Sequence, residues 1–411
     1  MKTAYFTHVW GRENLTVRDR YDELWREVEA ADRLGFDYAF SVEHHCTPRE
    51  SWMSSPVAFA TGAALRTERI RVGPMGWVPP LRHPLHVVEE VATLDQLLGG
   101  RLEVGLASGV SDEPFLPFGA DFARRKVLNR ECADLLRTAF AAEGPFDFDG
   151  PVHRMRDIEL SFGAVQRPHP PIWIPTGDRA TLRYLATIGG HTASTMIVPR
   201  AATATVYRHF VDWWRAGGRT GEPNIGYWSL VHVAETDAEA ESRAADQVVD
   251  AFVNTLRYGS VKRSGTPAAP ASRLSTADIL AGCHDFKFLL DQNLVFVGSP
   301  ETVAERIRAA ALEGCFNTLF GEFVFGDIAG AEAIRSMELY AEGVLPRLAD
   351  FSPFAAQEAE ADGPDAPAGD RADGGPREQG RTAVPAAVPG PYSADEQDEV
   401  AARLEALGYI D

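Results

Sequence analysis

The chain has 411 residues, 45% hydrophobic and 24% charged, which supplies apolar material for one large domain or two smaller ones. Acidic residues outnumber basic ones 59 to 40, a net charge of −19 that disfavours nucleic-acid binding and attraction to an anionic membrane, since both need a basic face. Disordered, collagenous and disulfide-scaffolded classes are excluded by composition, and the four scattered cysteines, with no secretory leader and no apolar run of about 20 residues, point to the cytoplasm.

The first predicted strand is Ala4-Tyr5-Phe6. It runs into Thr7-His8-Val9-Trp10-Gly11 without the glycine-rich turn that a dinucleotide-binding open sheet places there. A helix is predicted over 18–34, with Tyr21, Leu24, Trp25 and Val28 on one face and Gly35 ending it. Strand 38–42, helix 54–65, strand 70–76, helix 87–98, strand 102–107 and helix 121–142 follow. The rhythm resumes with strand 172–174, helix 179–188, strand 192–198, helix 202–216, strand 226–234 and a helix over 238–257. Residues 258–297 are too long for a simple connection and read as an insertion. Ser299-Pro300-Glu301 starts another helix, and strand 315–320 and helix 329–346 close the series. The helical stripe Tyr207, Phe210, Trp213, Trp214 reads as core.

Eight strand–helix units in residues 1–350 predict an α/β fold, a (β/α)8 barrel with insertions after strands 4 and 7. Residues 143–170 are a further inserted stretch. Beyond residue 350 the composition changes: residues 351–411 carry 13 acidic and 4 basic side chains. Residues 351–392, rich in Ala, Pro, Gly and acids, read as a flexible linker. Residues 393–411 read as a short helix, with Ser393 and Glu396 as a capping box and Val400, Leu404 and Leu407 on one face.

In such a barrel chemistry gathers where strands end. Strand two ends in Val42-Glu43-His44-His45. An imidazole there titrates near neutrality, and neighbours on an extended chain point oppositely, so one of the two histidines faces a ligand. No HxH or HExxH pattern supplies converging ligands, so no metal is expected. Met75 offers a soft wall at the end of strand three, with Trp10 and Trp77 as further candidates for a substrate pocket. Ser108 can donate one hydrogen bond at the end of strand four, and Phe115 stands in the loop beyond. Gly177, Asp178 and Arg179, with Thr181, begin the helix after strand five. Its free N–H groups and the guanidinium suit a phosphate, whereas Asp178 would repel one and suits a cap.

Taken together, Glu43-His44-His45, the segments 67–73 and 92–101, Arg82-His83-Pro84 and the stretch 166–173 resemble, in order, the bacterial-luciferase-like flavin-dependent monooxygenases. The resemblance implies a barrel that binds reduced FMN, delivered by a separate flavin reductase because this chain shows no nicotinamide motif. It implies oxygenation of an apolar small-molecule or carrier-bound organic substrate by O2 through a flavin C4a-peroxide, and a homodimer. His44 matches the family's acid/base histidine beside the flavin ring, Thr181 a phosphate-contacting threonine, and Pro74-Met75 the place of a non-prolyl cis peptide. Ser108 stands where the luciferase large subunit has a phosphate-binding arginine, Ala107 where it has a reactive cysteine, and Asp178 where it has a phosphate-contacting serine, so light emission is not implied. The insertion and tail suggest secondary metabolism. A hydride-transfer enzyme using the deazaflavin F420 and a non-catalytic flavin-binding accessory subunit are the alternatives.

Overall fold

Short parallel strands close into a ring: β1 (Lys2–Thr7), β2 (Tyr38–Ser41), β3 (Arg71–Pro74), β4 (Val104–Gly105), β5 (Ile172–Trp173), β6 (Thr192–Thr195), β7 (Ile225–Val233) and β8 (Thr318–Glu322). This is seen in a computed structural model that describes residues 1–12, 15–48, 50–109, 111–258 and 274–355. The register pairs Ala4 with Tyr38, Tyr38 with Arg71, Val104 with Ile172, Thr192 with Ile225, Gly226 with Thr318 and Thr318 with Lys2. Parallel bridges Val72↔Leu102, Trp77↔Leu106 and Trp173↔His191 join the remaining neighbours, so the barrel is shut and presents no bare edge.

The helices pack outside: α1 (Val17–Leu34), α2 (Pro56–Ala64), α3 (Pro84–Leu97), α4 (Arg125–Ala141), α5 (Arg179–Ile188), α6 (Arg200–Ala216), α7 (Asp237–Tyr258), α8 (Thr276–Gly282), α9 (Phe286–Asp291), α10 (Pro300–Gly314) and α11 (Gly330–Gly343). Their limits follow local chemistry. Thr16 caps α1 by accepting from Asp19 N, and Gly35 ends it at φ 85°, a conformation glycine takes without a Cβ penalty. Leu24 and Val28 carry the buried face of α1. Among the described residues no helix is long and apolar enough to cross a membrane.

Two stretches differ from the sequence expectation. Residues 143–170 contain an antiparallel hairpin, Phe146–Asp149 with Arg154–Ile158. The segment set aside as the insertion 258–297 contains α8, α9 and the start of a three-residue strand, Phe296–Gly298, paired in parallel with Val231–Val233 at the end of β7. A three-residue strand carries no measurable periodicity, which is why it was hidden in that segment. The middle of that segment, 259–273, and the terminal helix expected over 393–411 lie outside the described residues, as does the linker expected over 351–392 except for residues 351–355, where Phe354 is buried in the core and Phe351 packs against it.

Aromatic rings fill the barrel's lower half. Phe40 of β2 sits 5.0 Å from Tyr38, 5.1 Å from Phe320 of β8 and 5.8 Å from Trp173 of β5. Phe6 of β1 stacks on Phe320 at 5.8 Å. These edge-to-face and stacked pairs fill the interior densely and form a floor beneath the strand ends. Outside β1, Arg20 and Glu27 of α1 are fully buried and form a bidentate pair at 3.0 and 3.1 Å, to which Tyr5 adds a hydrogen bond of 2.5 Å. At the upper rim β3 and β4 touch backbone to backbone: a Cβ on Gly76 would stand 2.1 Å from the Gly105 carbonyl oxygen.

Candidate active site

Strand alternation separates the two adjacent histidines. Glu43, 3% exposed, draws His45 aside through a 2.8 Å contact with its Nε2, accepts from Val78 N at 2.9 Å and pairs with Arg82. The loop is thus pinned to the rim of β3, and His44 is turned into the barrel mouth. His44 N donates to Met53 O at 2.9 Å, fixing its backbone from the other side. Its Nδ1 lies 3.1 Å from Oε1 of Glu50, a carboxylate only 8% exposed. Burial of the ring disfavours its protonated form, but the Glu50 charge more than offsets this, and the His44 pKa is raised above 6.5. The Glu50 pKa moves the opposite way, down from 4.5: burial pushes it up, and the imidazolium beside it pulls it down further.

A second imidazole faces the first. His8, at the end of β1, is 5.4 Å from His44 between ring centroids. It is held by Glu322, the last residue of β8 and fully buried. Glu322 receives the His8 backbone N–H at 2.9 Å, contacts His8 Nδ1 at 2.9 and 3.1 Å, and accepts from the indoles of Trp10 at 2.7 Å and Trp228 at 2.9 Å. One carboxylate therefore orients three rings around the mouth. His8, His44 and Glu50 present donor atoms that all lie within 4.8 Å of one another, the converging set that sequence spacing did not reveal.

These groups line one side of a cavity of about 220 Å³ at the C-terminal ends of the strands. Its floor and walls are apolar: Phe6, Val42, Met75, Ile174, Ala193, Trp228 and Phe320. Its other side is polar and cationic, with Ser108, Thr181, Ser194 and Thr195 joined by Lys126, Asn129 and Arg130 from the first turns of α4. Asn129 is 3% exposed, and among the described residues its Oδ1 has no hydrogen-bond partner.

Of the residues expected from sequence, His44, Met75, Ser108 and Thr181 meet in this cavity. Others lie elsewhere. Asp178 is the N-cap of α5: its carboxylate accepts from Thr181 N at 2.8 Å and from Thr181 Oγ1 at 2.6 Å, so one N–H of the helix end expected to take a phosphate is held by its own cap. Gly177 is absent from the cavity lining, and Arg179 is exposed with its guanidinium 5.2 Å from the Trp213 ring, outside the mouth. Trp10 packs behind His8 at 4.9 Å, one layer from the cavity. Trp77 is fully buried and turns outward to Glu90 of α3, 2.9 Å away. Phe115 lines a smaller adjoining cavity that shares His44, Glu50, Met75 and Ala107. The non-prolyl cis bond joins Met75 to Gly76, one bond beyond the expected Pro74-Met75.

Sequence reasoning missed Lys126, Asn129 and Arg130, though their i, i+3, i+4 spacing on the predicted helix 121–142 placed them on one face. It also missed His8, Glu50 and Glu322. A carboxylate ending the last strand was the one available signal for Glu322.

A closed parallel barrel with a cavity apolar on one side and polar on the other, and an imidazole beside a carboxylate at its mouth, defines an α/β-barrel protein with a candidate active site at the strand ends. The sequence matches the luciferase-like monooxygenases over residues 1–315, and the chain belongs to that family of flavin-dependent enzymes. It is 30% identical over 348 residues to 4-hydroxyprotoasukamycin monooxygenase of Streptomyces nodosus subsp. asukaensis, covering 79% of this chain and 86% of that one. Among solved structures it resembles the monooxygenase RslO1 from Streptomyces bottropensis, with TM-score 0.72, 25% identity and coverage of 84% of this chain and 99% of the other. The oxygenating constituent of 3,6-diketocamphane monooxygenase from Pseudomonas putida, solved with FMN, shares the fold at TM-score 0.69 and 20% identity, over 84% of this chain and 98% of its own.

Proposed function

We propose that this chain is the oxygenating component of a two-component monooxygenase, taking reduced FMN from a separate reductase and transferring one atom of O2 to an apolar organic substrate, free or carrier-bound. The observation that carries this reading is the cavity's two-sided chemistry. An apolar slot suits a planar ring and an organic substrate. A rim holding two cations, three threonine and serine hydroxyls beside Ser108, and an unpartnered amide oxygen suits a phosphorylated polyol tail. Lys126 and Arg130 would neutralise the phosphate, helped by the N-terminal end of α4, and Asn129 Oδ1 would accept from a tail hydroxyl. Reduced FMN, when bound, supplies the two electrons that activate O2 at its C4a carbon. The apolar walls exclude water from that reaction. His44, steadied by Glu50, is the group that moves a proton to or from the reacting oxygen. Leu65 and Leu97, exposed at the ends of α2 and α3, favour a homodimer through that face.

Equilibrium titration with FMN and with riboflavin tests the cofactor assignment. Lys126→Ala should weaken FMN about tenfold, the loss of one charge-assisted bond. It should leave riboflavin unchanged, and Arg179→Ala should alter neither. Equal affinity for the two flavins in the unaltered protein would sink the phosphate assignment. Product carrying one 18O atom from 18O2, formed with reductase-supplied FMN, tests the reaction.

A further inference from the structure

The convergence of His8, His44 and Glu50 has chemistry beyond proton transfer. We infer that these three side chains form a binding site for a first-row divalent transition cation, of the zinc type, on their side of the cavity at the barrel mouth. Two imidazoles and one carboxylate with donor atoms within 4.8 Å of one another, His8 and Glu50 buried and His44 partly exposed, are a donor set that such cations favour. The second observation is the outer support. His8 Nδ1 is engaged by the buried Glu322 at 2.9 Å, which leaves Nε2 as the free nitrogen and aligns the ring, the carboxylate–histidine arrangement that backs metal-bound imidazoles. The third is that His44 Nδ1 is shielded from solvent and, apart from the 3.1 Å ion-pair contact with Glu50, has no hydrogen-bond partner among the described residues.

His44 Nδ1 and Glu50 Oε1, 3.1 Å apart, already match the ~3.4 Å edge of a tetrahedral site with bonds of about 2.1 Å, and the remaining separations lie within 4.8 Å. His44, whose side chain is 24% exposed, has room to rotate and close them. Three protein ligands leave one position for water or a substrate oxygen. A bound cation would occupy the lone pair that His44 needs for moving a proton, so it would act as an inhibitor of the activity proposed above. The site itself does not depend on that activity.

The test uses the full chain, freed of metal with a chelator, and ZnCl2 as the probe, followed by calorimetry. One zinc should bind per chain. His8→Asn and Glu50→Gln should each weaken it at least tenfold, and Glu322→Gln about 10- to 100-fold through His8. His209→Asn, at an exposed His–Asp pair far from this cluster in sequence, should bind as the unaltered protein does. Crystals soaked in zinc should show an anomalous peak between the three side chains. Absence of uptake, a peak elsewhere, or unchanged affinity in folded His8→Asn and Glu50→Gln proteins overturns the inference. If either variant misfolds, the map of the unaltered protein still decides. FMN affinity measured on the same samples separates this result from the flavin reading.

Discussion

His44 and His45 are the same amino acid at adjacent positions, yet one lines the cavity and the other is bound to Glu43 at 2.8 Å. The alternation of an extended chain made this division legible in the sequence, and the family resemblance, not the alternation, pointed to His44 as the one facing a ligand. The division was settled by Glu43, whose carboxylate is anchored by Val78 N and Arg82 and takes His45 with it. The expected consequence is functional asymmetry. His44→Ala should lower product formed per reduced flavin by about 10²- to 10⁴-fold, the usual contribution of a positioned acid or base, while FMN affinity stays unchanged. A His44→Ala protein with full coupled turnover would remove His44 from the mechanism. Arg179, the first residue of α5 and expected from the sequence to contact a phosphate, is absent from the cavity lining and has its guanidinium 5.2 Å from the Trp213 ring.

The helix α1 and the two-residue strands β4 and β5 fall where the sequence placed them, in 18–34, 102–107 and 172–174, whereas the strand Phe296–Gly298 was hidden in the expected insertion 258–297. The end of β5 shows why an element's boundary is not its function. The sequence of Asp178 fitted both a phosphate site and a cap, and the short bonds to Thr181 make it the cap. Lys126, Asn129 and Arg130, which share one face of α4, line the cavity as well. Elements also carry their own energetics. The α1 pair Arg20–Glu27 is fully buried against Tyr5, and Arg20 Nε lacks a partner among the described residues. Removing one charge leaves the other stranded, so Glu27→Ala should cost about 3–5 kcal/mol in urea or guanidinium unfolding. A loss below about 1 kcal/mol would mean that water reaches Arg20.

Closure of the ring is the property from which the site follows, because only a shut barrel brings β1 and β8 side by side and sets His8 upon Glu322, 314 residues apart in sequence. Burial on this scale also has a cost at low pH. His232 of β7 is 1% exposed, and neither ring nitrogen has a partner among the described residues. Burial first, and the charge of Arg243 second, push its pKa from 6.5 down to about 4. The unfolded chain takes up a proton as pH falls through 6.5, and the folded chain does so only near 4. Stability is therefore fully present above 6.5 and lost between 6.5 and 4, by up to about 1.4 kcal/mol per pH unit for this one group. His232→Leu should flatten that part of the stability–pH curve and raise the melting temperature at pH 5; an unaltered slope would assign it to other groups. The sequence by itself determined the barrel, the order of its units, the family and the strand end that carries His44, because these rest on local periodicity and on short ordered motifs. Tertiary structure alone decided which residues form the cavity's cationic rim and which carboxylates hold its imidazoles. Those contacts join strand ends and helix turns distant in the chain, and no local pattern records where a closed ring will bring them.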